Sequence, residues 1–133
     1  MPVAAAEDFA GIALFESLDG GAREAIASWF EVQDVSAGMK LTGEGAAGYS
    51  FFILRSGSAT VTINGIEVRT LGSGDFFGEL AILGDGRRTA TVTTVEPSRL
   101  LVLFGTEFRR LQQQYPELAT QIESTLREVA QAA

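Results

Sequence analysis

Between residues 31 and 104 the chain is cut by glycine-bearing turns into short apolar or alternating runs, and this constrains the fold more than any other feature. Ala59-Thr60-Val61-Thr62-Ile63 alternates, meets Asn64-Gly65, and returns as Ile66 to Leu71. Asn-Gly between alternating runs is the strongest short hairpin signal, because both residues tolerate the positive φ of a two-residue turn. Further runs cover 32–35, which ends at Ala37-Gly38, then 49–54, 89–95 and 99–104. Short strands with regular turns predict a sandwich, jelly roll or barrel.

The flanks have a helical texture. Glu7 or Asp8 can open a short helix carrying Phe9, Ile12 and Phe15, and Asp19 is a plausible N-cap for a helix over 22–30 with Ala25, Ile26, Trp29 and Phe30. A helix is expected over 106–114, and Pro116 suits the first position of a last helix with Leu118, Ile122, Leu126 and Val129 on one face. The expected fold is α+β by segregation. One domain spans 1–133: N-terminal helices over 7–30, a β region over 31–104, C-terminal helices over 105–131.

Composition removes several chemistries. The 133 residues contain neither Cys nor His and a single lysine, Lys40. Ser-His-Asp and Cys-His catalysis and the usual zinc sites are excluded, and no metal or cofactor is expected. A net charge of -7 argues against nucleic acid as a partner. No apolar run approaches the ~20 residues of a membrane span, and residues 1–7 lack the basic and apolar regions of a secretory signal. A cytoplasmic protein without a membrane partner is the expectation.

One segment, 74–92, breaks the strand pattern. Phe77-Gly78-Glu79 leads into Leu80-Ala81-Ile82-Leu83, one helical turn at most, and glycines then lead to Arg87-Arg88 and a strand. This is the chemistry of an anion site. A helix start offers free backbone N–H groups, Gly78 permits close approach, and an arginine on the returning strand presents a planar fork to phosphate. Glu79 would repel the phosphate but suits a sugar hydroxyl. A ligand with one phosphate beside a ribose hydroxyl fits the pair.

In these residues the chain resembles the cyclic-nucleotide-binding domain family. The family's phosphate cassette is matched by Phe77-Gly78-Glu79-Leu80-Ala81-Ile82-Leu83 and Arg88-Thr89-Ala90-Thr91-Val92, with the family's usual step from Glu79 to Arg88. A second signature is matched by Gly38, Leu41, Glu44 and Gly45, followed by Gly48-Tyr49-Ser50-Phe51-Phe52-Ile53-Leu54-Arg55-Ser56-Gly57. Ala46 stands where the family often has an acidic residue, at a turn away from ligand.

The resemblance implies an eight-stranded antiparallel β-roll (a jelly roll) with a C-terminal lid helix. It implies that Arg88 clamps the phosphate and Glu79 accepts the ribose 2′-OH. Backbone amides of Gly78, Leu80 and Ala81, with Thr89 or Ala90, would complete the cradle. Thr89 resembles the residue that contacts guanine in cGMP-dependent kinases, although relatives preferring cAMP carry it too. The ligand is therefore expected to be cAMP, with cGMP close behind.

The expected function is a sensor module, not an enzyme, that signals to an unknown effector protein by closure of the C-terminal helix. The alternative is a degenerate domain acting as an interaction scaffold. A hydrolase using Glu79 as base lacks a second catalytic group at suitable spacing. Trp29, Phe51 and Phe52 fit the core better than a base-stacking role. The stripe Leu111, Tyr115, Leu118, Ile122, Val129 suits a helix packed on the roll and, less well, a homodimer seam. Tyr115 and Arg127 are the candidate lid residues.

Overall fold

The computed structural model describes the backbone of residues 3–16, 18–42, 50–78 and 91–132, and their side chains except at 13, 14, 42, 50, 78 and 125–132. A 3-10 turn over Ala6–Phe9 is followed by helices α1 (Ala13–Glu16) and α2 (Gly20–Ala27). Then come strands β1 (Glu31–Val35), β2 (Lys40–Thr42), β3 (Ser50–Ser56), β4 (Ala59–Ile63), β5 (Ile66–Leu71), β6 (Phe76–Gly78), β7 (Thr91–Thr94) and β8 (Ser98–Phe104). Helices α3 (Gly105–Gln114) and α4 (Pro116–Ala132) follow.

Among the described residues the strands form two antiparallel sheets, ordered β1-β8-β3-β6 and β2-β7-β4-β5. Alternation along the central strands of the first sheet splits its side chains between two apolar layers. Phe52, Leu54, Leu100 and Val102 point into the roll, where Ala59, Val61, Leu71, Phe77 and Val92 meet them. Phe51, Ile53, Leu101 and Leu103 point the other way, into a layer shared with Phe9, Ile12, Phe15, Ile26 and Phe30 from the N-terminus. Phe108, Leu111, Leu118, Ala119 and Ile122 of α3 and α4 complete that layer. β3 and β8 are buried on both faces, which explains their continuous apolar runs.

Local chemistry sets the boundaries. Asp19 caps α2 as expected, its carboxylate accepting from the Ala22 N–H at 2.7 Å. The helix starts at Gly20 and ends at Ala27, so Trp29 and Phe30 lie beyond it, not on its face. Asn64 (φ 53°) and Gly65 (φ 77°) form the positive-φ hairpin turn, with Ile63 opposite Ile66. Pro116 opens α4.

Two strands escape the sequence pattern. β2 and β6 have three residues each, too few to show alternation, and both lie beside glycines. Phe77-Gly78 is strand, the end of β6, and the helical turn expected over 80–83 lies outside the described residues. The strand expected over 89–95 is described over Thr91–Thr94.

Candidate functional site

β6 is positioned by the turn before it. The Asp75 carboxylate accepts from the Gly72 N–H at 2.9 Å, and Gly74 takes a positive φ of 89°. The Leu54 N–H donates to the Asp75 carbonyl and the Gly74 N–H to the Leu54 carbonyl, both at 2.8 Å. The turn is thus bonded to β3, and the next residues pair in register: Phe76 with Ile53, Phe77 with Phe52, Gly78 with Phe51. Phe77 enters the roll and stacks on Phe52, with centroids 4.9 Å apart and planes 13° apart. Phe76 faces the helical layer and meets Phe51 edge-on at 5.4 Å.

β7 belongs to the other sheet. Thr91 pairs with Thr62 and Val92 with Val61. The far end of β7 is fixed by Thr94, whose hydroxyl donates to the Ser36 carbonyl at 2.7 Å and accepts from the Met39 N–H at 2.9 Å. The cassette therefore leaves one sheet at Gly78 and re-enters the other at Thr91. Both points lie at the end of the roll opposite the β3–β4 connection. The apolar floor between the sheets is Phe52, Phe77, Val61 and Val92.

Of the expected site residues, Gly78 is placed, at the last position of β6. Glu79, Leu80, Ala81, Arg88, Thr89 and Ala90 lie outside the described residues, as does Arg87. Phe51 and Phe52 are core residues. Trp29 packs on the helical layer, with the Tyr115 ring 6.1 Å away and the Arg110 guanidinium 5.6 Å over it. Leu111, Leu118 and Ile122 are buried in the domain's own core, so a dimer through α4 must use another face.

Arg69 is a candidate the sequence reading missed. Register shifts between Val61 and Thr62, so β5 carries an extra residue at Val68. Arg69 is exposed, and it lies opposite the buried Val61 and two residues before the buried Leu71, on the side of β5 that faces the roll. Alternation counted forward from Ile66 would put Val68 and Thr70 on this face instead. The bulge decides it.

A cleft of about 710 Å³ lies elsewhere, lined by Asp8, Asp34, Val35, Ser36, Arg55, Ser56, Pro97, Ser98 and Arg99. Along β3, Arg55 is four residues from Phe51, the partner of Gly78, or about 13 Å. In the cleft the Arg99 guanidinium donates to both Asp34 oxygens, at 2.8 and 3.2 Å. That hydrogen bond, with the charge behind it, holds the Asp34 carboxyl below its ordinary value and raises Arg99.

The comparisons agree with this geometry. The family model described as "Cyclic nucleotide-binding domain" matches residues 32–115. The chain is 39% identical over 89 residues to a cGMP-dependent protein kinase of Eimeria tenella, covering 67% of this chain and 9% of that one. It is 35% identical over 99 residues to a cAMP-dependent protein kinase regulatory subunit of Eremothecium gossypii, covering 74% and 22%. The structure titled cAMP bound PfPKA-R superposes with a TM-score of 0.79 at 27% identity, over 96% of this chain and 43% of that one. The β-roll with flanking helices, expected from the resemblance, is the architecture this neighbour shares.

A roll of two four-stranded sheets, with a Gly-Glu…Arg sequence between β6 and β7, defines a class of ligand-binding domain. The chain belongs to the cyclic-nucleotide-binding domain family. It spans less than half the length of each of the relatives just described. Among the described residues no helix is long and apolar enough to cross a membrane.

Proposed function

We propose that this domain binds cAMP or cGMP between its two sheets and reports binding through α4. The observation that carries the reading is the family match over 32–115, which spans a cassette hung between β6 and β7. Arg88 clamps the phosphate, Glu79 takes the ribose 2′-OH, and amides of Gly78, Leu80, Ala81 and Thr89 or Ala90 complete the cradle. The relatives named above are a cGMP-dependent kinase and a cAMP-dependent kinase regulatory subunit, which supports either nucleotide.

Base preference falls to Thr89 and Arg69. An arginine fork matches the O6 and N7 acceptors of guanine, whereas adenine offers a donor at position 6. Arg69 on the inner face therefore favours cGMP beyond what Thr89 alone suggests. Transmission follows from packing. Phe76 belongs to the helical layer, and α4 packs against β6, so a shift at the cassette reaches α4 directly. The output is a population shift set by the ligand's differential affinity for two positions of α4.

The effector is a protein recognised by the position of α4, and the domain itself is regulatory and cytoplasmic, with no catalytic step and no cofactor. Glu79 has no second catalytic group at suitable spacing to make it a hydrolytic base. Incubation with cyclic nucleotide is expected to leave the ligand intact, and linear product would overturn this.

The deciding test is calorimetric titration of folded, nucleotide-free protein with cAMP and cGMP side by side. Micromolar or tighter binding is expected. Arg88→Ala removes a charged hydrogen-bond partner worth about 1.5–3 kcal/mol, so affinity should fall roughly ten- to hundredfold. Glu79→Ala should weaken the ribose-containing ligand, and Arg69→Ala should weaken cGMP more than cAMP. Absence of binding to either nucleotide would replace the sensor reading with the interaction scaffold.

A further inference from the structure

The cleft beside β1, β8 and β3 lies toward the opposite end of β3 from Gly78 and carries one charge, Arg55, that no described residue pairs with. Asp34, Arg99 and Arg55 stand on neighbouring strands, in the order β1, β8, β3. Arg99 is satisfied by Asp34, and Asp8 adds to the field that raises it. Arg55 is different. Register along β3 shifts between Leu54 and Ser56, so Arg55 is the extra residue of a bulge, a device that re-aims a side chain. It is half-buried and lines the cleft, and among the described residues it makes no ion pair or side-chain hydrogen bond.

That isolation is informative in this chain. With 17 acidic residues against 10 basic ones, a surface arginine has acids to pair with. Two of them, Asp8 and Asp34, line the same cleft, yet Arg55 pairs with neither. Ser36, Ser56 and Ser98 add hydroxyls to the lining.

We propose that this cleft binds a single carboxylate, the Asp or Glu side chain of a partner protein's extended segment, with Arg55 as its anchor. An arginine fork accepts a carboxylate through two parallel hydrogen bonds. Asp8 and Asp34 set the selectivity, because their charge opposes a second negative charge and so disfavours phosphate. From β1 to β3 is two interstrand steps, about 10 Å, the reach of three extended peptide residues.

The test is an NMR titration of the full chain, with and without cAMP, using the blocked tripeptide N-acetyl-Gly-Glu-Gly-amide. Controls are the same peptide with Gln for Glu, and inorganic phosphate. Saturable shifts are expected at the Arg55 side-chain N–H and the Ser56 and Ser98 amides. Affinity should fall at least fivefold in Arg55→Gln and less in Arg55→Lys. Equal shifts from the Gln peptide overturn the carboxylate, and phosphate binding as tightly overturns the single charge. Shifts confined to other residues overturn the site, and that map needs no variant. Because the titration is read at Arg55 with and without nucleotide, failure of cAMP to bind leaves its outcome intact.

Discussion

Gly57 shows how much one position can carry. It has φ of 100°, and a Cβ built there falls 2.7 Å from the Ser98 Cβ and 2.8 Å from the Ser98 Cα. The second of these is backbone that cannot step aside. Gly65 also has positive φ, 77°, but a Cβ there meets nothing within 4 Å. Gly65→Ala should therefore cost only the conformational penalty, about 1–2 kcal/mol. Gly57→Ala adds overpacking to backbone strain and should cost about 3 kcal/mol or more. Urea unfolding of the two variants checks this, the Gly57 variant having the lower midpoint. At the same scale, the Asp34 carboxyl titrates below its ordinary value because Arg99 donates to it. Its contribution is present above the carboxylate's unfolded value near 3.9 and fades as pH falls through the lower, folded value. Both groups are solvent-exposed, so the stability at stake is small, and the sharper readout is NMR titration of Asp34. Its midpoint should rise toward the ordinary value in Arg99→Gln.

At the scale of elements, the edges and the last helix explain most. β5 ends its sheet and is exposed from Ile66 to Thr70, Ile66 and Val68 included, which invites strand pairing with another chain. The bulge at Val68 breaks the regular ladder there, a known way to blunt an edge. The β6 edge of the other sheet lies under α4. Helix α4 is anchored by Leu118, Ala119 and Ile122 and by the Gln112 amide, which donates to Glu123 at 2.9 Å across the α3–α4 junction. Ile122 is fully buried, so Ile122→Ala should cost about 2–5 kcal/mol in global unfolding. If α4 separates from the roll before the roll unfolds, near-UV and far-UV circular dichroism will give different midpoints.

At the scale of the molecule, the first sheet is the keel. It divides the roll's core from the helical layer, and β8 is its most enclosed strand, with Leu100 to Leu103 all buried. Amide exchange follows local opening, so β3 and β8 should exchange only through global unfolding and β5 fastest among the strands. Hydrogen-exchange mass spectrometry checks the order, and slow β5 amides would contradict it. Nucleotide should slow exchange in α4 as well as around the cassette. Protection confined to the cassette would remove α4 from the signalling path.

Local signals along the chain lay out its elements. Asn64-Gly65 set the hairpin, Asp19 and Pro116 set two helix starts, alternation marked β4 and β7, and apolar runs marked β3 and β8, because each signal is local and acts over a few residues. The Gly78-Glu79…Arg88 cassette was legible for the same reason, as chemistry at fixed spacing. The rest follows from pairing between segments distant in the chain. β2 and β6 are strands because neighbours pair with them, three residues being too few to declare a period. Trp29 left the α2 face because the helix ended at Ala27. Arg69 and Arg55 point where they do because each follows from a register shift between strands. A bulge is a property of two paired strands, and no single segment encodes it.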